Sequence, residues 1–70
     1  MSHGTLILTH LQNHGKLTAA DAIKYYDCYR LAARIHDLRS AGHGIETEMI
    51  HKVNFYGERV KFARYFMEEA

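Results

Sequence analysis

The chain has 70 residues, with nine Lys/Arg against eight Asp/Glu, a single cysteine and no proline. That length supports one domain, residues 1–70, and so small a domain buries only about 60% of the surface its unfolded chain exposes. One cysteine excludes an internal disulfide framework or a cysteine-rich zinc module, and a net charge of +1 excludes a histone-like polycation. The fold must therefore rest on packing alone, or gain help from a partner or a second copy. No apolar run approaches the ~18 residues of a membrane span and the first residues carry no signal-peptide h-region, so the expected location is cytoplasmic, with no membrane contact. The length also leaves little room for a walled pocket of ~300 Å³. No nucleophile–base or carboxylate pair stands out. The expectation is a protein with no catalytic residue, metal or cofactor.

Glycines punctuate the chain. Before Gly15, the residues Leu6, Ile7, Leu8 and Leu11 recur at helical spacing. They predict a helix over about 5–14, stopped by Gly15 as a left-handed C-cap. His10 and His14 lie one turn apart on it, as metal ligands often do, but no carboxylate or cysteine nearby in sequence completes a site. Thr18, with Asp21 three residues on, reads as a capping box, and Leu17 with Ala22 fills the staple positions. A second helix over about 19–25 follows, burying Ala22 and Ile23, with Tyr26 a further candidate. Asp27 reads as the next N-cap. The third helix then spans about 28–41, buries Cys28, Leu31, Ile35 and Leu38, and stops at Gly42. Its opposite face holds Tyr29, Arg30, Ala33, His36, Asp37 and Ser40, with Arg34 and Arg39 on the flanks. Cys28 reads as a small hydrophobe of the core.

After Gly44 the period changes to two. Strands over about 45–53 and 59–67 flank a turn at Asn54–Glu58, where Gly57 can take positive φ. Along the last strand Val60, Phe62 and Phe66 share one face and Lys61, Ala63 and Tyr65 the other. Both faces carry apolar residues, more than one layer of helices covers. The surplus, Phe66 and Met67 above all, is the expected contact for a homodimer. Residues 68–70 read as a frayed tail.

Three helices followed by a two-stranded antiparallel β-hairpin form an α+β fold of winged helix-turn-helix type. In that arrangement helix 3 enters the major groove of double-stranded DNA, and the hairpin lies beside it as a wing. Tyr29, Arg30, Ala33, Arg34 and Asp37 are placed to reach base edges and phosphates from helix 3. Lys16 and Lys24 are the phosphate candidates near helix 2. Lys52, Arg59 and Lys61 are those of the hairpin, with Arg64 beside them. From Tyr29 to Tyr65 seven cations stand against four carboxylates, an excess of three, while two glutamates sit in the tail. Either arginine of helix 3 is equally a candidate ion-pair partner for Asp37.

The run Tyr29-Arg30-Leu31-Ala32-Ala33-Arg34-Ile35-His36-Asp37-Leu38-Arg39, followed by Gly42-His43 and Ile45-Glu46-Thr47, resembles a family of small helix-turn-helix domain proteins common in bacteriophages and prophages. The similarity continues through Tyr56-Gly57 and Phe62-Ala63-Arg64-Tyr65, and covers roughly Leu6 to Phe66. It implies a winged-helix fold and DNA binding, in a setting of transcriptional regulation or site-specific recombination. A rival expectation, from the near-neutral charge and the apolar last strand, is a module that binds and modulates a host or phage protein.

Overall fold

A computed structural model describes residues 2–68. Ser2 opens helix α1 (His3–His14), its hydroxyl accepting from the Thr5 N–H at 3.2 Å. This is two residues ahead of the expected start, because a serine preceding the apolar stripe supplies the cap. Ile7 and Leu11, one turn apart, are buried. Gly15 has φ +90° and ψ −81°, so it is not the left-handed cap the sequence suggests. It turns the chain sharply into a strand, β1 (Lys16–Thr18), that the sequence reading lacks. Three residues are too few to show a period.

Helix α2 (Ala19–Tyr26) starts with the expected capping box. The Asp21 N–H donates to the Thr18 hydroxyl at 3.2 Å, and the Thr18 N–H to the Asp21 carboxylate at 3.3 Å. Its buried residue is Ala22; Ile23, expected in the core, is exposed. Asp27 does not cap the third helix. It ends α2 in the left-handed conformation (φ 53°, ψ 32°), its N–H bonded to the Ile23 carbonyl at 3.0 Å. An N-cap needs extended backbone, so one residue cannot serve both ends. Cys28 is buried in the turn, its N–H on the Ala22 carbonyl, and Tyr29 points outward. Helix α3 (Leu31–Ser40) therefore begins three residues later than expected. Its buried stripe of Leu31, Ile35 and Leu38 is as the spacing implies. Gly42 (φ +99°) closes it: the Gly42 N–H reaches the Arg39 carbonyl and the His43 N–H that of Leu38, the Schellman pattern.

Strands β2 (Ile45–Val53) and β3 (Arg59–Met67) pair antiparallel without a bulge, from Ile45 opposite Met67 to Val53 opposite Arg59. Asn54 organises the turn, its side-chain oxygen accepting from the N–H groups of Tyr56 and Glu58, with Gly57 at φ +80°. β1 adds to the other side of β3, so the sheet has three strands in the order β1-β3-β2, not two. Glu68 donates its N–H to the Gly44 carbonyl and extends the pairing by one step, rather than fraying. Residues 69–70 of the expected tail lie outside the described residues.

The helices pack on one face of this sheet. Ile45, Leu17, Tyr65 and Met67 meet Ile7, Leu11, Cys28, Leu31, Ile35 and Leu38 there. Met67 thus belongs to the core, whereas the neighbouring Phe66 points to the other face. The two cannot form one dimer patch, because successive strand residues alternate. Among the described residues no helix is long and apolar enough to cross a membrane.

The Asp27 conformation carries a test. A non-glycine residue pays a steric penalty in the left-handed region, and a carboxylate at a helix C-terminus opposes the helix dipole. Asp27→Gly removes that penalty but adds unfolded-state freedom, for an expected net gain of about 0.5–1 kcal/mol, and Asp27→Val is expected to lower stability. Thermal denaturation followed by circular dichroism reads both.

Candidate nucleic-acid interface

The turn Tyr29-Arg30 and the outer face of α3 form one exposed surface. Tyr29 is 73% exposed. Arg30 occupies the N-cap position of α3 without a side-chain cap bond, leaving the first N–H groups of that helix without side-chain acceptors. A shallow hollow of ≈ 240 Å³ beside this turn is lined by His3, Asp27, Cys28, Tyr29, Arg30 and Arg34. Arg34 is half-buried and bonds Asp37 at 3.2 Å, the ion pair its spacing allowed. Its Nε is buried without a partner. Ala33 is half-buried, and His36, Asp37 and Ser40 are exposed on the same helix.

Strand register divides the hairpin cations. His51 opposite Lys61, and Val53 opposite Arg59, share the face that carries the helices, as Ile45 and Tyr65 do. Lys52, opposite Val60, is on the outer face with Ile50, Phe62, Arg64 and Phe66. The expected trio Lys52, Arg59 and Lys61 is therefore split across the sheet. At the tip, Phe55 is 95% exposed and stacks edge-on against Tyr56.

Several cations are engaged within the protein. Lys16 lies on the outer face, bonded to Glu48 at 3.1 Å and over the Phe66 ring. Arg64 bonds the same Glu48 oxygen at 2.6 Å. Arg39 donates to the Ile45 carbonyl through Nε and Nη2 at 2.9 and 2.7 Å, and to the Thr47 hydroxyl at 2.8 Å. Lys24 rests over Tyr25 and Lys52 over Phe62. Among the described residues Arg30, Arg59 and Lys61 form no ion pair and no side-chain hydrogen bond. The outer-face role of Glu48 and the tie made by Arg39 escaped the sequence, since the partners of Glu48 lie across strands and Arg39 reaches from α3 to the next element, β2. The split of Lys52 from Lys61 was legible, because a turn centred on residue 56 sets the parity of both strands.

His10 is committed as well. Its Nε2–H donates to the Lys16 carbonyl at 3.0 Å, which leaves Nδ1 to accept from the Tyr26 hydroxyl at 2.6 Å. Neither nitrogen of this ring remains for a cation. Among the described residues no group of three or more potential ligands gathers.

A family model described as a winged helix-turn-helix domain matches residues 3–70. The chain belongs to this winged helix-turn-helix family. No curated protein and no solved structure matches it. In winged helix-turn-helix terms α2 and α3 are the helix pair and the β2–β3 hairpin is the wing. The third strand, β1, docks that wing onto the helices. Membership in this family points to DNA as the ligand.

The Glu48 bridge has a pH signature. Hydrogen bonds from Arg64, then from Lys16, hold its carboxyl below the ordinary carboxylate value. A depressed folded-state pKa contributes stability above the unfolded value, and that contribution is lost as pH falls through the folded one. Stability is expected to drop on acidification below the ordinary carboxylate range. Glu48→Gln should lessen that drop, as seen in denaturant midpoints measured across pH.

Proposed function

We propose that this protein binds double-stranded DNA in a sequence-specific manner. Helix α3 lies in the major groove and the hairpin rests as a wing on the flanking backbone. The observation that carries this is the set of cations left without protein partners. Arg30 stands at the start of α3, and Arg59 and Lys61 lie on the sheet face that bears the helices. Tyr29 and Arg30 reach bases or phosphates from the open N-terminus of α3, where the N–H groups favour an anion. Arg59 and Lys61 neutralise phosphates beside it. Lys24 contacts phosphate from α2. Lys16 and Arg34 take a smaller part than their charge suggests, being held by Glu48 and Asp37.

The protein is of phage or prophage type, a single domain acting in the cytoplasm of a host cell as a transcriptional regulator or recombination accessory factor. It has no catalytic activity and needs no cofactor. A second function, docking to a host or phage protein, has one observation in its favour. The outer face of the sheet carries Ile50, Val60, Phe62 and Phe66, each only half-buried.

Selection of bound sequences from a random duplex library tests the DNA function. A recurring motif is expected. On that motif Arg30→Ala should weaken binding by about 1–3 kcal/mol and relax specificity. Lys61→Ala should weaken all sequences alike and lower the salt dependence by about one counterion. Failure to retain any duplex at low salt would sink the proposal and favour the protein-docking function.

A further inference from the structure

Because β3 is central, the sheet has two free edges, and they differ. On the β1 edge two of the outward backbone groups are occupied by side chains. His10 takes the Lys16 carbonyl and Asp21 the Thr18 N–H. On the β2 edge the bonds at either end of the hairpin, Asn54 N–H to the Glu58 carbonyl and Glu68 N–H to the Gly44 carbonyl, fix the pattern. Even-numbered residues of β2 bond β3, so odd-numbered ones aim their N–H and C=O groups outward. Arg39 covers the Ile45 carbonyl. Among the described residues nothing covers the backbone groups of Thr47, Met49, His51 or Val53. This is a straight, nine-residue edge with neither proline nor bulge, a ready template for another strand.

We propose that a second copy of this chain pairs here, β2 against β2 and antiparallel, about a two-fold axis at Met49. The strand's charge order selects that occupant and register. Ile45-Glu46-Thr47-Glu48-Met49-Ile50-His51-Lys52-Val53 is acidic in its first half and basic in its second. Turned about Met49, Glu46 faces Lys52 of the partner subunit, and Lys52 faces Glu46 of the partner subunit, both on the outer face. Glu46 has no ion-pair partner among the described residues. A shift of two residues one way sets Glu48 against Glu48 of the partner subunit. Shifted the other way, Lys52 meets a Glu48 already held by Arg64 and Lys16.

The same register pairs Thr47 with His51 of the partner subunit, so the exposed backbone groups of the strand's middle are satisfied. Met49 and Val53, 49% and 62% exposed, lie on the helix-bearing face and gain apolar neighbours: Met49 of the partner subunit for the one, Ile45 of the partner subunit for the other. The product is a continuous six-stranded sheet with both helix layers on one side. Its two-fold symmetry suits an inverted-repeat site, but the pairing itself requires no DNA.

Sedimentation velocity of the full chain without DNA tests the dimer, with circular dichroism to confirm the fold of each variant. A concentration-dependent dimer is expected. Lys52→Glu and Glu46→Lys should each weaken it about tenfold, since each places like charges opposite at two symmetric positions. The double exchange, E46K/K52E, should restore it. Met49→Pro should abolish it while keeping the monomer folded, because that N–H faces outward and serves no bond to β3. A monomer throughout the micromolar range overturns the proposal. So does a dimer indifferent to both the charge exchange and the proline. Failure of DNA binding with the dimer intact would count against the DNA function alone.

Discussion

The pairing of Leu17 with Tyr65 joins the two halves of the molecule. β1 is three residues long, yet it is the strand through which the segment between α1 and α2 binds the hairpin. Leu17 is fully buried beneath the helices, and its neighbours are tied on both sides. The Lys16 side chain reaches across β3 to Glu48, and the Lys16 carbonyl is held by His10 from α1. The Thr18 N–H is held by the first turn of α2. A two-stranded hairpin alone is marginal in water; a third strand and a helix layer give it a core to stand on. The orientation of the wing relative to α3 follows from this pairing, assisted by Arg39 of α3, which bonds the Ile45 carbonyl at the start of β2.

The same ties decide which charges remain for a ligand. A net charge of +1 says little about nucleic-acid binding until each cation is traced to its partner. Lys16, Arg64, Arg39 and Arg34 are occupied in holding β1, β2 and α3. Exposed ion pairs of this kind contribute little to stability individually, but they remove charge from the binding surface. Among the described residues Arg30, Arg59 and Lys61 remain, and Lys24 and Lys52 are held only over the rings of Tyr25 and Phe62. A modest positive surface implies that affinity depends on shape, on base contacts and on the number of copies engaged more than on long-range attraction.

The two sheet edges show how a small domain divides its polar backbone. The β1 edge lies under α1 and α2, where short side chains reach its backbone groups. The β2 edge runs toward the wing tip, and past the Arg39 bonds to the Ile45 carbonyl no helix side chain among the described residues bonds its backbone. An open edge on a 70-residue chain without a disulfide is both a hazard for aggregation and an opportunity for ordered association.

Much of the fold was legible in the sequence because it is local. The capping box at Thr18, the buried stripe of α3, the stop at Gly42 and the hairpin turn at Asn54–Gly57 depend on residues within a few positions of one another. The existence of three helices and a hairpin, and with it the winged helix-turn-helix assignment, follows from those signals. What required the tertiary structure was non-local. β1 exists because β3 lies beside it, and three residues carry no periodicity of their own. Asp27 ends α2 instead of starting α3 because burial of Cys28 pins the turn between them. Tyr65 and Met67, rather than Phe62 and Phe66, face the core because the helices chose that side of the sheet. The candidate interface divides in the same way. Residue types placed arginine and lysine in the right segments, and the turn position already divides Lys52 from Arg59 and Lys61 by parity, but only ion-pair geometry across the sheet set Lys16 and Arg64 apart from them.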